Sequence, residues 1–193
     1  MNILSTEFYN RDTLLVARQL LGMRLVRSYC GVRLSATITE TEAYIGETDL
    51  ACHARSGRTA RTQVMYGVPG RAYVYFNYGL HWMLNTVTQA EGFPAAVLIR
   101  AAQVQEGQEV VALRRAKVKC SDWTNGPAKL TQAFAIDGSQ NNADLTNARD
   151  GLWIEEVSVI SDVNVTIAAR VGLNNVPEPW KSMPWRFFCN QET

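Results

Sequence analysis

Arg33-Leu-Ser-Ala-Thr-Ile-Thr-Glu-Thr-Glu-Ala-Tyr44 reads as a β-strand whose two faces differ. Leu34, Ala36 and Ile38 fall on one parity, while Arg33, Ser35, Thr37, Thr39 and Thr41 fall on the other. A period of two predicts one buried and one wet face. Carried to its end, the same period places Glu40, Glu42 and Tyr44 on the buried side. Two inward carboxylates are costly unless they are paired, hydrogen-bonded or put to chemical use.

A cationic stretch follows. From Leu50 to Ala90 there is no Asp or Glu, yet Arg55, Arg58, Arg61, Arg71, His53 and His81 lie there. The whole chain carries a formal net charge of only +1, so this charge is local. Tyr66, Tyr73, Tyr75, Phe76, Tyr78 and Trp82 interleave with it. Arginines beside exposed rings suit a surface that holds phosphates and unstacked bases. The plain alternative is a solvated loop beside an aromatic core.

Working outward, the 193 residues suit a single domain over 1–193, large enough to bury a core. With 47% hydrophobic and 19% charged residues, the composition is that of a globular protein. No apolar run approaches the roughly 20 residues that span a bilayer, and no basic segment precedes an apolar one at the N-terminus. The expectation is a soluble intracellular, cytoplasmic protein with no membrane partner. Cys30, Cys52, Cys120 and Cys189 are scattered, without a C-x-x-C pair, and this favours neither a metal site nor a disulfide framework. Cys52-His53 hints at a thiol nucleophile or ligand, against the plain reading of a small buried Cys.

Leu14, Leu15, Ala17, Leu20 and Leu21 predict an amphipathic helix over Asn10–Leu21, stopped by Gly22. Strands are expected at Arg24–Tyr29 and Val32–Tyr44, joined by a tight turn at Cys30-Gly31. Gly46–Gly70 reads as a long loop, a length that is usually functional. A hairpin turning at Gly79 and a buried strand at Ala95–Ala101 come next. Glu106–Lys119 predicts a helix with a cationic end, and Pro127 opens another. Leu152–Ile160 and Val165–Val171 are read as closing strands, with the Pro177–Phe188 tail packed across them. Without βαβ alternation, the class is α+β: a curled, mostly antiparallel sheet surrounded by helices, with a positively charged nucleic-acid-binding face.

Several ordered blocks then resemble one family. Glu40-Thr-Glu-Ala-Tyr-Ile-Gly46, Ala51-Cys-His-Ala54, Met65-Tyr-Gly-Val-Pro-Gly70, Ala72-Tyr-Val-Tyr-Phe-Asn-Tyr-Gly79 and Ala96-Val-Leu-Ile-Arg100 are similar to the alkyladenine (3-methyladenine) DNA glycosylases, of bacterial type. Gly126-Pro-Ala-Lys-Leu-Thr-Gln-Ala133 and Arg170-Val-Gly172 extend the resemblance to nearly the whole chain. It implies a monofunctional base-excision repair enzyme that acts on double-stranded DNA as a monomer, with direct water attack, no Schiff base, no metal and no cofactor. The expected substrates are alkylated purines of the 3-methyladenine and 7-methylguanine class, with hypoxanthine and ethenoadenine left open.

The resemblance implies the site as well. Glu42 falls on the catalytic glutamate, a base for the attacking water. Arg100 falls on the arginine near the flipped nucleotide's phosphate and that water. Tyr44, His53 and Tyr75 form the cage for the flipped base, and Asn85 lies against the purine two-position. Tyr78 is the plug left in the duplex, while Arg58, Arg61 and Lys129 are backbone contacts. Asn77, Ala128 and the loosely fitting Asn174–Ser182 depart from the family pattern and bear on substrate range and DNA affinity. Two rival readings stand beside this one. A sugar hydrolase would use Glu40 as acid and Glu42 as base, roughly 6.5–7 Å apart along the strand. A damage-binding module without catalysis has no use for Glu42, since a carboxylate near phosphates is unfavourable.

Overall fold

The computed structural model describes residues 2–189. Their strands are β1 Arg24–Tyr29, β2 Val32–Ile45, β3 Ala72–Asn77, β4 His81–Val87, β5 Ala95–Glu106, β6 Leu152–Glu155, β7 Val165–Ala168 and β8 Arg186–Cys189. They form one open antiparallel sheet in the order β3-β4-β5-β2-β1-β6. Beyond the end of β1, β8 takes up the free edge of β2 at Glu40–Glu42, and β7 pairs with β8. The helices are α1 Thr6–Tyr9, α2 Thr13–Gln19, α3 Gln108–Arg114 and α4 Pro127–Phe134. The α+β architecture expected from the sequence is the one observed.

The sheet is covered on both sides, which gives the protein two cores. On one side Val16 and Ala17 of α2 and Leu130, Ala133 and Phe134 of α4 pack with Ile38, Leu84, Val97 and Ile99. On the other, Tyr73, Val87 and Ala96 pack with Cys52, Ala54, Val64, Met65 and Tyr66 from the loop after β2. That loop is therefore a folded cover. Two short 3₁₀ turns, His53–Ser56 and Gln63–Tyr66, supply all of these loop residues but Cys52, which precedes the first turn.

The long strand β2 departs from the expected one-wet-face pattern. Ser35 (0% exposed), Thr39 (7%) and Thr41 (0%) are as buried as Leu34 and Ile38, because neighbours flank and cover most of the strand. The parity also breaks. Ile38 pairs with Ala102, Glu40 with Ala101 and Thr41 with Ile99, so Thr39 is an extra residue on β2 and Arg100 an extra residue on β5. Each bulge reverses the alternation of its strand. Leu34, Ala36 and Ile38 face the helices before the bulge, and Ala43 does so after it. Thr41 does likewise, its hydroxyl donating to Ala17 O at 2.8 Å. Glu40, Glu42 and Tyr44 are thereby turned away from the face that the simple period assigns them, toward the loop-covered side.

Several boundaries move for local reasons. The expected Asn10–Leu21 helix starts at Thr13, because the Asp12 carboxylate accepts the amides of Leu14 (2.9 Å) and Leu15 (3.1 Å) as N-cap. The helix expected over Glu106–Lys119 is shorter, and Lys117 and Lys119 lie outside it. Glu106 stays in β5, held by Ser35 at 2.5 Å and Arg33 at 2.9 Å. Gly107, at φ 76°, then turns the chain; a Cβ there would run into Leu34 Cδ2. The strand expected over Leu152–Ile160 ends at Glu155, and the tail contributes β8 to the sheet instead of crossing over it. Among the described residues no helix is long and apolar enough to cross a membrane.

Candidate active site

Where the loop cover leaves β3, β4 and β5 open, a cleft of about 720 Å³ remains. Its floor is made by side chains on the loop-facing parity of the sheet: Tyr73 and Tyr75, Met83 and Asn85, Ala96 and Leu98. Its walls come from the Cys52–Met65 loop on one side and the Val171–Val176 segment on the other.

Glu42 sits behind this cleft and has no exposed surface. Its Oε1 accepts the Val171 amide at 2.7 Å and lies 3.4 Å from Arg100 Nη1, while Oε2 accepts the Tyr44 hydroxyl at 2.8 Å. All three partners line the cleft. Burial lifts the Glu42 carboxyl above its ordinary range, opposed by Arg100, the Val171 amide and Tyr44, with Glu40 adding to the lift. Burial alone lowers Arg100, yet Glu42 and Glu40 together hold it above its usual value. The result is a buried carboxylate with two hydrogen-bond donors and a guanidinium beside it, an arrangement suited to taking up a proton.

Glu40 is accounted for differently. Its Oε1 accepts Arg100 Nε and Arg186 Nη1, each at 2.9 Å. A carboxylate oxygen already bonded to two guanidiniums holds Arg100 in place, which is a structural role for Glu40. Arg100 does not end its strand as expected; it is the bulged residue inside β5.

The expected cage residues converge. His53 Nδ1 lies 3.0 Å from the Tyr73 hydroxyl, and its ring meets Tyr75 edge-on at 4.5 Å. Burial, then Arg61 and Arg55, push the His53 ring down to about 4, so it is neutral at physiological pH. Tyr44 and Tyr75 each carry a guanidinium over the ring already: Arg170 at 4.8 Å and Arg61 at 4.9 Å. Asn85 is 3% exposed, and its amide donates to Tyr73 O at 3.0 Å, which leaves its carbonyl oxygen for the cleft. Trp82 and Leu84, of the opposite parity on the same strand, belong to the opposite core.

Tyr78 stands at the hairpin tip, 90% exposed, and with Gly79 adopts positive φ (50° and 67°). Arg61 and Arg55 are exposed at the rim of the cleft. Arg58 is exposed over Tyr66, outside the lining, and Arg71 turns away to Asp144 at 3.8 Å. Lys129 does not line the cleft; it is bonded to Asn125 at 2.7 Å and Asp122 at 3.4 Å. Cys52 is 1% exposed, and burial pushes its thiol up to about 12, so the nucleophile reading of Cys52-His53 falls.

Sequence reasoning missed the Val171 amide, the Asp49–Arg170 ion pair and Tyr73. The Arg170-Val-Gly172 block marked the first two only as a resemblance, and nothing local singled out Asp49.

Residues 7–193 match the profile of a family described as methylpurine-DNA glycosylase. A protein of Desulfitobacterium hafniense named "Putative 3-methyladenine DNA glycosylase" is 46% identical, with 97% of this chain and 95% of that protein aligned. Proteins bearing the same name from Methanocella arvoryzae (44% identical; 97% and 92% aligned) and Carboxydothermus hydrogenoformans (42%; 96% and 94%) are similar over comparable spans. The match runs from α1 through β8 and takes in every strand and loop that frames the cleft, so the chain belongs to the methylpurine-DNA glycosylase family.

Proposed function

We propose that this protein is a monofunctional DNA glycosylase that draws an alkylated purine out of duplex DNA into the cleft and hydrolyses its N-glycosidic bond. The observation that carries the reading is Glu42: a buried carboxylate with two hydrogen-bond donors and one guanidinium neighbour, each of which lines a cleft with room for a purine. Extrahelical capture is required because C1′ of a stacked nucleotide is out of reach. Arg55, Arg58 and Arg61 grip phosphates, and Tyr78 fills the space the base leaves, offsetting part of the unstacking cost. The flipped base stacks among Tyr44, His53 and Tyr75, each aromatic partner contributing about 1–3 kcal/mol. Asn85 meets the purine edge at the two-position.

Water then reaches Glu42 from the cleft side. The loosest of the carboxylate's contacts is the 3.4 Å approach of Arg100, which the incoming water and sugar displace most easily. Glu42 takes the water proton as the oxygen bonds to C1′. The glycosidic pair leaves with the base nitrogen, and a base that was cationic departs neutral. Arg100, held by Glu40, stays beside the water and the nucleotide's phosphate. No amine of the protein takes part, so no lyase step follows.

The test is release of defined bases from duplexes carrying single lesions. The unaltered protein should release methylated purines, and Glu42→Gln should lose about 10²–10⁴-fold in rate while still binding lesion duplex. Release by Glu42→Gln within a few-fold of the parent would remove Glu42 as the base. Binding of lesion duplex with no release by either protein would favour a damage-binding module.

A further inference from the structure

One buried ion pair takes no direct part in that chemistry. Asp49 and Arg170 have fully buried side chains, joined at 2.6 Å (Nη1–Oδ2) and 2.9 Å (Nη2–Oδ1). Desolvation offsets much of the attraction in such pairs, so stability alone is weak grounds for having one. This pair is also a junction. Arg170 donates to Ala43 O at 3.0 Å and to Trp180 O at 3.1 Å, and its guanidinium lies 4.8 Å from both the Tyr44 and Trp185 rings. Asp49 accepts the Ile45 amide at 3.2 Å and the Ala51 amide at 3.0 Å. The strand that carries Glu42, the loop after it and the far wall of the cleft thus meet at one point. The next residue along from Arg170 is Val171, whose amide donates to Glu42 at 2.7 Å.

We infer that Asp49 and Arg170 are positioning residues: the pair pins the Val171 amide onto the Glu42 carboxylate and so keeps the base aimed and supplied with a donor. This rests on the reading of Glu42 as the general base. An amide that donates to a carboxylate favours its ionised form, the form that accepts a proton. The other groups facing Glu42 are Arg100 from β5, Tyr75 from β3, and Glu40 and Tyr44 from its own strand, with Arg186 of β8 behind Glu40. Of these only Tyr44, whose ring lies 4.8 Å from the Arg170 guanidinium, is touched by the pair, and Asp49→Asn leaves that guanidinium in place.

The experiment uses full-length protein with Asp49→Asn or Arg170→Lys, with folding checked by melting, and single-turnover release from about pH 5 to about pH 9. The acid limb should move to higher pH, with release there falling about 10–150-fold and rates near the alkaline end converging on the parent. A fall by one constant factor at every pH, together with a lower Tm, would make the pair merely structural and overturn the inference. A second measurement needs no variant. By NMR, the Val171 amide resonance of the unaltered protein should titrate in step with the Glu42 carboxyl. An amide indifferent to that titration overturns the inference even if both variants fail to fold. If the amide tracks Glu42 but no duplex yields a free base, the positioning stands and the proposed function fails.

Discussion

Tyr44→Phe removes one oxygen atom and keeps the ring, so it separates two roles of a single side chain. The Tyr44 hydroxyl donates at 2.8 Å to a carboxylate with no exposed surface. A hydrogen bond to a charged group contributes about 1.5–3 kcal/mol, and here only the ionised form of Glu42 gains it. Burial already lifts Glu42, and the hydroxyl is one of three groups opposing that lift. Without it the lift grows, and less of the protein holds an ionised base at low pH. On the acid limb release should therefore fall by about 10–150-fold, since about 1.4 kcal/mol is a factor of ten. Well above the raised range both proteins are fully ionised, and the rates should meet. Tyr44→Leu should instead lower release at every pH, because the stacking face itself is lost. The assay is single-turnover release of one methylated purine from a duplex, with protein in excess, across the pH series. A Tyr44→Phe profile of unchanged shape, scaled by one factor, would refute the coupling between this hydroxyl and the base.

Glu42→Gln should melt at a higher temperature than the parent at pH 8. Because the folded carboxyl titrates above its ordinary range, ionised Glu42 destabilises the fold above that raised range; the difference should shrink to nothing as pH falls below the ordinary one. A parent that melts higher at pH 8 would contradict this. Tyr78→Ala should weaken lesion-duplex binding more than undamaged-duplex binding, since encounter depends on the cationic rim and the plug acts only after extrusion; equal weakening of both would reduce Tyr78 to a general contact. Asn85→Ser should speed release of guanine-derived bases relative to adenine-derived ones, by about 5–150-fold if the edge contact is an unmade hydrogen bond for guanine. If both substrates lose activity in parallel, the tether to Tyr73 O at 3.0 Å is the whole role of Asn85.

What depends on neighbours along the chain is legible in the residues alone. The strand pair Arg24–Tyr29 and Val32–Ile45 follows from alternation and the Cys30-Gly31 turn, and α4 begins at Pro127 because proline suits that position. The Gly79 turn, and the exposure of Tyr78 beside it, were legible for the same reason. The short blocks around Glu42, His53 and Tyr75 pointed, through their resemblance to a family, to residues that meet at the cleft. What they could not carry was register. The bulges at Thr39 and Arg100 exist only in the pairing of two strands some 60 residues apart, and they put Glu42 on the cleft side of the sheet and not on the helix side. Likewise Asp49 and Arg170 stand 121 residues apart, and Val171 reaches Glu42 across 129. A buried carboxylate in a strand says only that some partner must exist. Which amide, which hydroxyl and which guanidinium supply it is decided when the sheet closes and excludes water, because only then do distant donors become the only ones within reach.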